Sequence, residues 1–152
     1  SSAVIHIKKI DPKDAQHFIK ELDDYQAELY PAESNHLDSI ETLRQPNVYM
    51  VGAFKDKRLH AIGAVKIFET YGEIKRVYVP ENYRGLGLAK KIMAHLEQYL
   101  TETSVFSARL ETGIHQHEAV GLYKRLGYAE CRPFGEYQPD PLSVFMKKDL
   151  SG

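Results

Sequence analysis

Val77-Tyr78-Val79-Pro80-Glu81-Asn82-Tyr83-Arg84-Gly85-Leu86-Gly87-Leu88-Ala89 lies in the middle of the 152-residue chain, and its reading decides the rest. Branched and aromatic residues run up to Pro80, which stops a strand. Glycines at 85 and 87 then make a turn. Leu88, Ile92, Leu96 and Leu100, backed by Ala89 and Met93, follow at helical spacing, which predicts an amphipathic helix over 84–100. The first N–H groups of a helix lack intrahelical partners and sit at the positive end of its dipole, so they suit an anion. Glycines remove the side chains that would keep a phosphate away from those amides. The same residues also read as a plain tight corner. No Gly-Lys-Ser/Thr follows, so this is not a Walker loop, and the third glycine of a dinucleotide fingerprint is missing.

Working outward, Glu73–Val79 is predicted as the strand entering the turn, preceded by a Tyr71-Gly72 turn. Val48–Phe54 and Leu59–Phe68 read as a hairpin over residues 55–58, and Val4–Ile10 as a first strand. Between them, Asp11-Pro12 reads as an N-cap with Pro at the first helical position. Ala15, Phe18, Ile19, Leu22 and Leu29 share one face of that helix, which Tyr30-Pro31 ends. A polar stretch over 32–38 leads to a short helix over 39–44. Downstream come a strand over 104–111, a helix over 117–126 stopped by Gly127, and strands over 128–133 and 142–148. The order β-α-α-β-β-β-α-β-α-β-β, with no repeat or linker, predicts a single α+β (mixed α/β) domain over residues 1–152.

Composition narrows the function. A formal net charge of -1 argues against general nucleic-acid or anionic-membrane binding, which needs surplus Lys and Arg. The lone Cys131 excludes an intrachain disulfide and reads as inert. No apolar run is long enough to cross a bilayer and no signal-peptide pattern opens the chain, so a cytoplasmic location is expected. Ser1-Ser2, without an initiating Met, reads as a processing remnant. His115-Gln116-His117 lacks a third ligand at useful spacing, so no metal is expected.

Arg84-x-x-Gly87-x-Ala89 matches the Arg/Gln-x-x-Gly-x-Gly/Ala signature of the GNAT superfamily of N-acetyltransferases. Ala119-Val120-Gly121-Leu122-Tyr123-Lys124-Arg125-Leu126-Gly127-Tyr128 resembles that family's Ala-x-x-x-Tyr-x-x-x-Gly-Phe/Tyr helix and following strand. The two motifs occur in the family's order, and the element order agrees along the whole chain. Glu33-Ser34-Asn35-His36 and Asp140-Pro141-Leu142-Ser143 resemble patches of a bacterial subgroup. The resemblance implies a central, mostly antiparallel sheet of about seven strands flanked by about four helices, with acetyl-CoA as co-substrate. It implies that Val77, Tyr78 and Val79 line the pantetheine arm, and that Arg84, Gly85, Leu86, Gly87, Leu88 and Ala89 hold the pyrophosphate. Many members carry Asn three residues before the helical Ala; here Gln116 puts an amide on a longer stem.

Acetylating an amine by direct attack poses two proton problems. An alkylamine with a pKa near ~10 is roughly one part per thousand neutral at pH 7, so a base helps, and the leaving thiolate needs a proton. By position, Glu73 resembles the carboxylate that serves as base in some members, commonly through water; otherwise it is a solvated strand-end carboxylate, with Glu111 the alternative base. Tyr123 resembles the phenol that faces the coenzyme sulfur, or else it is a core aromatic. An amide of the Val77–Val79 strand would hold the oxyanion if the strand ladder is locally broken. Lys75 and Arg76 read as a solvated strand face or as readers of a substrate carboxylate. The loop over 133–142, with Phe134 and Tyr137, and the segment over 30–36 are the expected substrate rim. The favoured partner is a small-molecule amine, with a homodimer as the assembly to test. A protein Lys or N-terminal acetyltransferase and a non-catalytic acyl-CoA-binding module are the competing readings.

Overall fold

The computed structural model describes residues 4–35 and 38–152. Among them the strands are β1 (Ile5–Lys9), β2 (Val48–Lys55), β3 (Arg58–Ile67), β4 (Gly72–Tyr78), β5 (Ser107–Gly113), β6 (Ala129–Glu130) and β7 (Ser143–Asp149). The α-helices are α1 (Gln16–Leu29), α2 (Ile40–Leu43), α3 (Leu88–Glu102) and α4 (His117–Arg125). The strands form one sheet in the order β1-β2-β3-β4-β5-β7-β6. Every neighbouring pair is antiparallel except β4 and β5, which α3 connects as a crossover. The fold is mixed α/β, as the sequence predicts.

Both faces of the hairpin strands are covered, which is why β2 and β3 read as nearly continuous apolar runs. Val51, Ala53, Ala61 and Val65 join Leu88, Ile92, Met93, Leu96 and Leu100 of α3 in one buried cluster. Met50, Ile62 and Ala64, one residue out of phase, join Phe18 and Ile19 of α1 and Leu43 of α2 in another. Strand alternation thus sends successive side chains to opposite helical layers. Each large side chain so buried contributes about 1.5–3 kcal/mol.

The element boundaries differ from the sequence reading in places. Asp11 caps as expected, its carboxylate accepting from the Lys13 amide at 3.0 Å, but Pro12–Ala15 is a 3-10 turn ahead of α1. The central helix starts at Leu88 because Gly85 and Gly87 take left-handed φ values of 89° and 70°, which end any helix running through them. The strand read over 128–133 shortens to two residues, although the Cys131 amide still donates to the Phe145 carbonyl at 2.8 Å. Of the expected rim over 30–36, His36 lies outside the described residues, as do Leu37 and residues 1–3.

Two irregularities shape the centre of the sheet. β4 pairs with β5 only through Gly72–Ala108, Glu73–Arg109 and Ile74–Leu110. Beyond Ile74 the ladder between them ends, which leaves the polar groups of both strand ends facing an opening. On the other side of β4, Ala64 pairs with Lys75 and Ile62 with Tyr78, so Gly63 alone opposes Arg76 and Val77. This is a β-bulge, with Arg76 at φ 58°. A non-glycine residue held there needs support from its surroundings. Arg76 has it: its guanidinium pairs with Asp23 of α1 and donates to the Asp38 carbonyl.

Candidate active site

A cleft of about 620 Å³ opens along the far end of β4. Val77, Tyr78, Val79, Arg84, Gly85, Gly87, Leu88, Ala89, Gln116 and Tyr123 all line it, so one surface gathers the predicted coenzyme residues and the predicted phenol. Leu86 sits in the same turn with its side chain 43% exposed, outside that lining. The Arg84 Nε donates to the Val79 carbonyl at 3.1 Å, which fixes the bend between strand and helix.

The turn fits a pyrophosphate. The first helical bond runs from the Lys91 amide to the Gly87 carbonyl at 3.1 Å, so the amides of Leu88, Ala89 and Lys90 stand ahead of the helical ladder. A Cβ built on Gly85 or Gly87 would meet no atom within 4 Å, so the space over the turn is open to a ligand. The bulge releases β4 amides from the ladder next to the same cleft, meeting the condition for an oxyanion donor.

A second, smaller cavity of about 80 Å³ lies between the parted ends of β4 and β5. Glu73, Lys75 and Arg76 line it from one strand, Glu111 and Thr112 from the other, and Asp38 and Tyr137 from the covering segments. Val77, Gln116 and Tyr123 belong to the walls of both cavities, so the two meet at these residues.

Tyr123 is 8% exposed, and burial pushes its phenol up to about 12. It remains a proton donor throughout the physiological range. Among the described residues nothing accepts a hydrogen bond from its hydroxyl, which leaves the proton available to a ligand.

Glu73 is 4% exposed, so it is not the solvated carboxylate of the alternative reading. Its Oε2 accepts from Lys75 Nζ at 3.1 Å and from the Tyr137 hydroxyl at 2.5 Å. Lys75 Nζ also lies 2.9 Å from Asp38 Oδ2. Burial pulls the Lys75 ammonium down, but the Glu73 and Asp38 carboxylates outweigh it and the net shift is upward. The Tyr137 phenol is raised by burial and then by Glu73. Glu111 lines the same cavity, with its Oε2 accepting from the Ser143 hydroxyl at 2.8 Å.

The solvated-face reading of Lys75 and Arg76 is overturned, since the side chains are 11% and 4% exposed. Lys75 pairs in regular register with Ala64 and so faces the same α1–α2 layer, while the bulge turns Arg76 to that side as well.

Gln116 opens α4 with its side chain folded back. Its Oε1 accepts from the Gly113 amide at 3.0 Å and from the Thr112 hydroxyl at 3.3 Å, with the Tyr30 hydroxyl at 3.5 Å. Tyr30, whose hydroxyl also accepts from the His115 amide at 3.1 Å, occupies the space beside Gly113. A Cβ at residue 113 would come within 1.8 Å of the Tyr30 oxygen, so a glycine is required there. The longer stem of Gln116 is what reaches this cluster. Tyr30 and Asp38 had no individual role in the sequence reading, because both join the site only through long-range packing of the first helical layer.

Residues 15–128 match the acetyltransferase (GNAT) family. An IAA acetyltransferase of Azospirillum brasilense is 39% identical over 134 residues, covering 87% of this chain and 88% of that protein. A solved Klebsiella pneumoniae structure, of a protein assigned as an acyl-CoA N-acyltransferase, superposes with a TM-score of 0.82 at 36% identity, covering 97% of this chain and 99% of the other. The PaiA N-acetyltransferase of Thermoplasma acidophilum, solved with coenzyme A, shares the fold with a TM-score of 0.72 at 18% identity, over 96% and 99% of the two chains. With strand, turn, helix and buried tyrosine arranged around one cleft, the chain is a member of the GNAT family and an acyltransferase.

Proposed function

We propose that the protein transfers the acetyl group of acetyl-CoA to the primary amine of a small molecule by direct attack. The observation that carries this reading is the meeting of a long cleft and a small polar cavity at Tyr123. The cleft suits the coenzyme, and the cavity, about 80 Å³ and lined by Asp38, Glu73 and Glu111 together with Lys75 and Arg76, suits a compact polar amine rather than a protein segment.

Arg84 to Ala89 would hold the pyrophosphate, and Val77 to Val79 with Gln116 the pantetheine arm. Bound there, acetyl-CoA supplies an activated acetyl thioester at the junction of the cavities. Glu73 takes the amine proton, directly or through water, as nitrogen bonds to the acetyl carbon. A bulge amide of β4 donates to the acetyl oxygen as negative charge grows on it. The carbon–sulfur bond breaks, and the departing sulfur takes the Tyr123 proton. The products are the acetamide and free coenzyme A; the proton gained by Glu73 then returns through water to the Tyr123 phenolate, so both side chains are restored and the protons balance.

The test is acetyl-CoA consumption with amino acids, polyamines, aminoglycosides and short peptides as acceptors. The name of the Azospirillum relative adds IAA to that panel. A small amine with saturable turnover supports the proposal. Turnover confined to peptides transfers the assignment to a protein acetyltransferase. Coenzyme binding without turnover of any acceptor supports the binding-module reading instead.

A further inference from the structure

Glu73 carries its protein contacts on one oxygen. Oε2 accepts from both Lys75 and Tyr137, whereas Oε1 has no protein hydrogen bond among the described residues. We propose that Tyr137, acting with Lys75, is a positioning residue that clamps Glu73 through Oε2 and presents Oε1 as the atom that takes the amine proton. This rests on Glu73 being the base of the reaction proposed above.

A glutamate has three rotatable side-chain bonds, and holding it in one orientation costs conformational entropy. Two donors converging on one oxygen fix both the position of the carboxylate and the oxygen that remains for the substrate. The clamp is built from separate parts of the fold. Lys75 lies two residues along the same strand and is itself held at 2.9 Å by Asp38. Tyr137 comes from the loop between β6 and β7, and Lys75 donates to its hydroxyl at 3.4 Å, so the three polar groups form a closed triangle. The Tyr137 ring is wedged edge-on against Phe134 and Phe145, with centroids 5.3 and 5.4 Å away. Phe134 in turn packs on Tyr71 at 5.6 Å. These aromatic contacts give the loop a purpose that its stiff composition only hints at: they hold one hydroxyl against the base.

Tyr137→Phe keeps the ring contacts and removes only the donor. With acetyl-CoA as donor and the best amine from the acceptor panel, it should lower kcat by about 10- to 100-fold, the scale of one hydrogen bond to a charged group. The KM values for both substrates should stay within about threefold, since neither ring nor cavity wall is lost. In a Glu73→Gln background the same change should alter kcat less than about twofold, because the group it positions is gone. Coenzyme A should still raise the melting temperature of each variant, which verifies the fold. An equal loss in both backgrounds, or a rise in acceptor KM alone, would overturn the clamp and make Tyr137 a wall of the cavity. A Glu73→Gln single variant with native kcat would overturn the base assignment itself. The two failures are therefore read from different proteins.

Discussion

Tyr123 is 8% exposed and burial raises its phenol to about 12, so its proton stays on oxygen throughout the physiological range. Tyr123→Phe keeps the ring's packing and removes that proton. kcat should fall by ~10² to 10⁴-fold, the usual range for general acid help, with coenzyme affinity nearly unchanged. Single-turnover kinetics, where chemistry limits the rate, reads this directly; an unaltered rate would return Tyr123 to the core. Glu73 and Glu111 line the same cavity but are held differently. If Glu73 draws the amine proton, kcat/KM rises with pH through one ionisation, and Glu73→Gln loses most at low pH. The deficit shrinks toward the amine's own pKa, where the acceptor is already neutral and needs less help. Glu111→Gln should do less. Paired pH–rate profiles settle the matter, and the opposite ranking would move the base to β5.

At the scale of elements, the turn before α3 is, on the proposed reading, a determinant of both stability and coenzyme affinity. Gly87 has φ 70°, and an added Cβ meets no atom within 4 Å, so Gly87→Ala introduces backbone strain rather than a clash. That strain costs about 1–2 kcal/mol, or roughly 2–8 °C in melting temperature. In the native protein, coenzyme A at 100 times its Kd should add about 2.7 kcal/mol and raise the midpoint by roughly 5–10 °C. Gly87→Ala should shrink that rise as well as lower the starting point, and an unchanged rise would remove the turn from the coenzyme site. Further along the same helix, Glu97 of α3 accepts from the Tyr128 hydroxyl and from Lys148 Nζ, both at 2.8 Å. Glu97→Ala strands the buried phenol and should destabilise by about 1–3 kcal/mol in urea unfolding. Tyr128→Phe removes that hydroxyl outright and should be the milder change.

For the whole molecule, the buried phenols should make stability fall at alkaline pH. The unfolded chain releases the Tyr123 proton near pH 10, whereas the folded protein keeps it to about 12. Between these values the unfolded state binds fewer protons, so stability falls as pH rises. The contribution is fully present below about pH 10 and amounts to about 2–3 kcal/mol lost by pH 12. Tyr128 and Tyr137, also raised by burial first and then by Glu97 and Glu73, act in the same direction. Denaturant midpoints measured across this range should fall less steeply for Tyr123→Phe than for the native protein. No helix among the described residues is long and apolar enough to cross a membrane.

Local chemistry along the chain was enough for the order of elements, the capping Asp11, the glycine turn ahead of the central helix and the family. Each depends on residues close in sequence: alternation in strands, 3.6-residue spacing in α3, and glycines whose backbone freedom is local. The sequence alone also named Glu73 and Tyr123, though only with a plain structural reading beside each. Tertiary structure decided that both are buried and that Tyr123 stands where the two cavities meet. It also decided that Lys75 and Arg76 face inward: Lys75 shares the covered face of its partner Ala64, and a bulge opposite Gly63, which no local pattern announces, turns Arg76 to the same side. The clamp on Glu73 joins residues 38, 75 and 137, brought together only when the loop over 133–142 and the approach to α2 close over the gap between β4 and β5. Contacts of that separation depend on the path of the whole chain, which spacing within any one segment does not encode.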